Sequence, residues 1–278
     1  MFDLFKTVLL LSAMGAGATL ILILLKPLAL KRFPAMWQRG LWIVVAAAML
    51  IPFWRFIPRQ EFERFTPAVT QMQDNAPQEE MIQQTEPIII EDTPMEYREI
   101  ELTPQVSVRI YDLIAYIWFG GMCLFVALSL LSYMIFLFKK RKSSVDLAGR
   151  DSFDEVKREL KIKRKIRIRI SSDASSPMLV GTIFPVIYIP SGGMDAETEK
   201  MVFRHELNHY KHGDLLLKWL TMLVNAVHWF NPFAYLLTAN VNEACEVSCD
   251  MAVIRGLNEE EQRFYMETIL KMLEKGKK

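Results

Sequence analysis

Long apolar stretches without a charge constrain this chain most, because about 20 such residues in a helix reach across the hydrocarbon core of a bilayer and suit few soluble folds. Thr7 to Leu25 carries no charged residue and is rich in Leu, Ile and Ala, which predicts a first span. A cleaved leader is the competing reading, but Asp3 precedes Lys6 where a basic segment would be needed, and no small-residue cleavage site precedes the next apolar run. Gly40 to Trp54 is a shorter uncharged run that Phe56 and Ile57 extend if Arg55 snorkels to the interface. Trp37, Trp42 and Trp54 around it suit an interfacial aromatic belt. Leu113 to Phe138 is a third candidate, and Lys139-Lys140-Arg141-Lys142 closes it as a stop-transfer signal.

Charge is nearly balanced overall, with 33 Lys+Arg against 32 Asp+Glu, so no polyelectrolyte role is indicated and the information lies in where the charges fall. Lys26, Lys31, Arg32 and Arg39 lie between the first two runs, and a second basic block follows the third. Basic loops are retained on the cytoplasmic side, so both belong inside. The segment from Arg59 to Arg109 is acidic and punctuated by Pro67, Pro77, Pro87, Pro94 and Pro104, which places it outside and largely irregular. The expected division is therefore two transmembrane helices with a short basic loop over 1–57, an extracytoplasmic loop over 58–110, a third transmembrane helix over 111–140 and a cytoplasmic domain over 141–278. Cys123, Cys245 and Cys249 form no CxxC pair or disulfide framework and suit a reducing compartment or the bilayer.

Within 141–278, the alternation Lys161-Ile-Lys-Arg-Lys-Ile-Arg-Ile-Arg-Ile170 predicts a strand with one basic and one apolar face. With almost no aromatic residue in that run and a membrane beside it, the basic face points to anionic lipid, and no direct nucleic-acid binding is expected. Ser175-Ser-Pro-Met178 predicts a turn, and Ile183 to Ile189 a second strand, in an edge position because of Pro185. Ile183, Val186 and Tyr188 on that strand are candidates to hold an extended substrate by strand addition. Asp195, Thr198 and Glu199 then open a helix.

That helix contains His205-Glu206-Leu-Asn-His209. Histidines four apart lie one turn apart on one face and can converge on a single tetrahedral ion, with Glu206 placed to take a proton from water at the remaining position. Two imidazoles need a further protein ligand. Asn242-Glu243-Ala-Cys245-Glu246-Val-Ser-Cys249-Asp250 supplies candidates. Glu246 and Asp250 share a helix face, so one can ligate while the other accepts a ring N–H; spacing leaves Glu243 as a rival ligand, and Cys245, Cys249 and His212 as weaker ones. Trp219 to Asn242 has no charge and would pass as a further span, but a single crossing would put Glu246 across the membrane from His205. Asn231-Pro232 instead breaks the run into two short helices, buried or grazing the membrane. His228 reads as structural.

The motifs Ser175-Ser-Pro-Met178, Phe184-Pro-Val-Ile-Tyr-Ile-Pro190, Arg204-His-Glu-Leu-Asn-His209-Tyr, His228-Trp-Phe-Asn-Pro232 and Glu243-Ala-Cys-Glu-Val-Ser-Cys-Asp250 together resemble the membrane metallopeptidases of the BlaR/MecR antirepressor type. The resemblance implies a mainly α membrane protein: three N-terminal transmembrane helices plus a cytoplasmic α+β domain of gluzincin type with a small sheet. It implies one zinc ion per chain on His205, His209 and Glu246, with Asp250 as supporting carboxylate and Glu206 as catalytic base. It further implies a multi-pass protein of the bacterial plasma membrane, N-terminus outside, serving signal transduction by cleaving itself or a transcriptional repressor, with a homodimer conceivable. Receptors of this type continue into an extracytoplasmic penicillin-binding sensor, which this sequence does not contain. A CAAX-protease or HtpX-like peptidase and a signalling scaffold with structural zinc are the alternatives.

Overall fold

The structure, a computed structural model, describes residues 1–32, 34–52, 104–147 and 149–276. Helices α1 (Phe2–Arg32), α2 (Ala35–Leu50) and α3 (Pro104–Lys142) come first. Phe2–Pro27 and Ile110–Lys142 are long and apolar enough to cross a membrane, whereas α2 is a shorter apolar helix. The far end of the second expected span and most of the expected 58–110 loop lie outside the described residues. Along α3, Ile117 is 59% exposed, Leu124 60%, Leu131 57% and Ile135 59%, an apolar surface that water would not tolerate and lipid covers.

The rest of the chain forms β1 (Ser144–Leu147), α4 (Asp151–Glu159), β2 (Arg167–Ser171), β3 (Met178–Val180), β4 (Val186–Pro190), α5 (Ala196–His212), α6 (Asp214–Val227), α7 (Pro232–Ile254) and α8 (Glu259–Gly276). The sheet order is β1-β2-β4-β3, with β2 and β4 parallel and the outer pairs antiparallel. Two sequence expectations are corrected here. The strand expected from Lys161 begins only at Arg167, because Lys161, at a left-handed φ of 57°, and Ile162 close the end of α4 by hydrogen bonds from their N–H groups to the carbonyls of Arg158 and Lys157. The strand expected over Ile183 to Ile189 begins at Val186 and is interior; the edge beside it is β3. Gly181 makes the intervening turn at φ 89°, where a Cβ would meet the Phe184 carbonyl oxygen at 2.5 Å.

Helix α5 is well delimited. The Asp195 side chain accepts from the Thr198 N–H at 2.8 Å, and Gly213 ends the helix in the left-handed conformation. Its face carrying Phe203 and Leu207, both fully buried, packs on Phe153 and Val156 of α4 and on Ile187 of β4.

Helices α6 and α7 form an antiparallel hairpin that enters the bundle of α1, α2 and α3 instead of lying across its end. At about 1.5 Å per residue its tip reaches roughly 20 Å beyond Asp214. The tip is hydrogen-bonded to all three helices: Asn231 donates to the Ser12 hydroxyl at 2.7 Å, His228 Nε2 approaches the Met49 carbonyl at 2.9 Å, and Trp229 donates to the Trp118 carbonyl at 3.2 Å. Trp118 in turn donates to the Val227 carbonyl at 2.9 Å. Irregular backbone survives at such depth only where protein groups satisfy it, as they do here. Trp42, expected in the interfacial belt, is 5% exposed and packs in the hairpin's core with Met49, Val224, Leu237 and Val241.

Candidate metal centre

Helix α5 presents His205 and His209 on one face, and the hairpin turn returns α7 so that Glu246 stands opposite them. The two Nε2 atoms are 3.0 Å apart, and Glu246 Oε2 is 3.6 Å from each. Ligands bound tetrahedrally at about 2.0–2.1 Å are separated by roughly 3.4 Å, so this triangle fits one small divalent ion without rearrangement. Two imidazoles and a carboxylate are also the donor types such an ion takes.

The remaining ring nitrogens are held by carboxylates. His205 Nδ1 is 3.1 Å from Asp250 Oδ1 and 2.9 Å from the Tyr265 hydroxyl, which itself donates to Asp250 at 2.6 Å. His209 Nδ1 is 2.7 Å from Asp214 Oδ2. Arg39, from α2, binds Asp214 Oδ1 at 2.6 Å and the His212 carbonyl at 2.6 Å. Both rings are thereby turned with Nε2 toward the triangle.

The electrostatics follow from this geometry. Burial disfavours a proton on His205, but Asp250 and Glu246 outweigh it and push the ring up to about 10. Burial acts likewise on His209, and Asp214 and Glu246 push it up to about 9. The two rings hold the Glu246 carboxyl well below the usual range. Asp214 drops to about 2: burial opposes its charge, and His209 and Arg39 overcome that. The constellation thus favours positive charge at its centre, and an entering cation would displace ring protons. Glu206 is buried beside it, and burial raises its carboxyl while the two histidines pull it down. The Leu179 N–H, on edge strand β3, faces that carboxylate and also lowers its pKa. The Glu246 side chain is 55% exposed against 13% for His205 and 12% for His209, so the triangle opens to solvent on the Glu246 side.

The other sequence candidates fall elsewhere. Glu243 is 57% exposed and pairs with Lys26 at 2.6 Å. Ile183 sits in the turn before β4, while Val186 and Tyr188 are buried in an interior strand whose neighbours already pair with it, so β4 offers no free edge for a substrate. His212 Nδ1 lies 3.5 Å from Cys249 Sγ. His209, Asp214 and Cys249 form a second group that metal-ligand distances allow. Chemistry disfavours it: Asp214 is already paired with His209 Nδ1 and with Arg39, and burial with the adjacent Asp214 pushes the Cys249 thiol up, away from the thiolate a metal takes. Asp214, Tyr265 and Arg39 were absent from the sequence candidates. Asp214 had a legible signal, an acid at the first helical position after Gly213 and five residues beyond His209; Arg39 read only as a topology charge.

Comparison with known proteins identifies relatives of the chain. The chain is 26% identical over 284 residues to the methicillin resistance mecR1 protein of Staphylococcus aureus, an alignment spanning 95% of this chain and 45% of that protein. The same identity and spans hold for the mecR1 protein of Staphylococcus epidermidis. The regulatory protein BlaR1 of Bacillus licheniformis is 34% identical over 121 residues, 43% of this chain and 20% of BlaR1. The chain therefore spans less than half the length of these relatives. The profile of the BlaR1 peptidase M56 family matches residues 6–278, and the chain belongs to that family.

Proposed function

We propose that the chain is a zinc metalloendopeptidase of bacterial membrane signalling, in which His205, His209 and Glu246 hold the metal, Asp250 and Asp214 orient the rings, and Glu206 is the general base. The observation that carries this reading is the triangle of two Nε2 atoms and Glu246 Oε2 at 3.0–3.6 Å with a buried carboxylate beside it. A structural site has no use for Glu206. Bound zinc supplies Lewis acidity, polarising a peptide carbonyl and lowering the pKa of water to about 7. Glu206 accepts the proton as water attacks and returns it to the leaving amine, a task suited to a carboxylate whose burial raises its affinity for protons. The substrate is a protein or peptide segment, either a transcriptional repressor or part of the chain itself, and it docks along β3, whose Leu179 N–H already faces Glu206.

We place residues 1–57 and 111–140 in the membrane and 58–110 in the outer loop, with the N-terminus outside; of 141–278, the hairpin of α6 and α7 enters the membrane bundle and the remainder is the cytoplasmic domain. Supporting this orientation, Lys26 and Arg39, the charges at the ends of α1 and α2, reach Glu243 and Asp214, and Lys140 donates to the Asp173 carbonyl at 2.8 Å. The basic ends and the metal centre therefore share one side. Glu206→Gln tests the chemistry: zinc should remain bound while cleavage of repressor or chain falls by about 10²–10⁴-fold. Full activity in that variant refutes the assignment.

A further inference from the structure

Where α3 leaves its apolar stretch, a cavity of about 760 Å³ separates it from the sheet. One wall is Leu137 and Phe138, the last apolar residues before Lys139; the opposite wall includes Ile183 and Phe184 of the Gly181 turn. Those two side chains are 68% and 74% exposed, a large apolar surface for a turn in water. The turn is held in place. Thr182 Oγ1 accepts from Trp219 at 3.0 Å, Trp219 packs edge-on against Tyr133 of α3 with centroids 5.4 Å apart, and the Arg164 guanidinium binds the Ile183 carbonyl. Its apolar tip is therefore level with the final turns of a membrane-crossing helix.

The same cavity is lined by Arg141, Arg167 and Arg169 and by a single carboxylate, Asp146. Arg169 is occupied, 3.2 Å from Asp146 and donating to the Ser144 carbonyl at 3.0 Å. The side chains of Arg141 and Arg167 have no partner among the described residues, which leaves two cationic groups beside an apolar slot at the depth of the leaflet's phosphates. We propose that this cavity binds one anionic phospholipid of the leaflet on the metal-centre side, its phosphate between Arg141 and Arg167 and an acyl chain along Leu137, Phe138, Ile183 and Phe184. The proposal rests on the membrane placement above and not on the peptidase chemistry. It also makes the turn leading into β4 a contact between lipid and the sheet whose edge strand meets Glu206.

The test is native mass spectrometry of the purified full chain titrated with phosphatidylglycerol or phosphatidylcholine, with inorganic phosphate as a headgroup-only competitor. The expected result is one phosphatidylglycerol bound in preference to phosphatidylcholine and not displaced by equimolar phosphate. Arg141→Gln with Arg167→Gln should weaken phosphatidylglycerol binding by about twentyfold, whereas Arg255→Gln with Arg263→Gln, an equal loss of charge on exposed residues near and on α8, should leave it unchanged. Equal binding of the two lipids, displacement by phosphate, or equal loss in the two arginine pairs overturns the proposal. Should the first pair lose helicity by circular dichroism, Phe184→Ser decides: it should weaken lipid binding with helicity kept, and unchanged phosphatidylglycerol binding in it refutes the site. No cleavage is read in this experiment, so failure of the peptidase reading leaves its outcome intact.

Discussion

At the scale of single residues, the proposed centre depends on each imidazole being held at both nitrogens, by a carboxylate at Nδ1 and by the ion at Nε2. That His205 and His209 present Nε2 to one point was legible in the sequence, since histidines four apart must share a helix face. The hold at Nδ1 was legible for Asp250, which shares a helix face with Glu246, and was missed for Asp214, although it follows His209 by five residues. Arg39 meets Asp214 from 175 residues away, and no local pattern announces such a pair. Asp214→Asn should lower metal affinity by about 10–100-fold, because the amide no longer fixes the His209 tautomer and Arg39 loses its counter-charge. Metal content after dialysis against a graded chelator checks this, and retention equal to the parent would show that Asp214 is only a helix-start residue.

Among elements, those with a capping signal were read well and those without one were not. Asp195 opens α5 where the sequence implied, and Gly213 closes it. Strand β3 has 3 residues, too few to show a period, and Pro185, which suggested an edge position, lies just before β4 and not in it. The alternation from Lys161 misled because helix termination takes its first residues. The hairpin tip shows how closely elements are fitted. A Cβ on Gly121 would lie 2.6 Å from the Trp229 ring, while one on Gly120 meets nothing within 4 Å. Gly121→Val should therefore cost about 1–3 kcal/mol by forcing α3 from the tip, and Gly120→Val should change stability far less. Thermal unfolding of both variants in one detergent measures the difference; equal shifts would mean that the tip does not bear on α3.

For the whole molecule, the sequence suggests a clean division into a membrane part and a cytoplasmic part, and the packing does not respect it. An uncharged run such as Trp219 to Asn242 looks alike whether it crosses, grazes or re-enters, and only Asn231-Pro232 hinted at a turn. The core joins Trp42, Ala46 and Met49 of α2 to Leu217, Val224, Leu237, Val241 and Cys245 of the hairpin, so the helix carrying Glu246 is seated by the N-terminal helices. Residues 141–278 expressed alone should aggregate or fail to retain metal, and co-expression with residues 1–140 should restore a soluble-in-detergent complex that binds it. A monomeric, metal-loaded fragment would show that the hairpin does not need its sockets. The central claim is that one ion sits on His205, His209 and Glu246 and not on the neighbouring set that includes Cys249. X-ray absorption at the zinc edge of the purified full chain tests it most directly: a shell of nitrogen and oxygen donors alone at about 2.0–2.1 Å is predicted, and a sulfur scatterer at about 2.3 Å would contradict it.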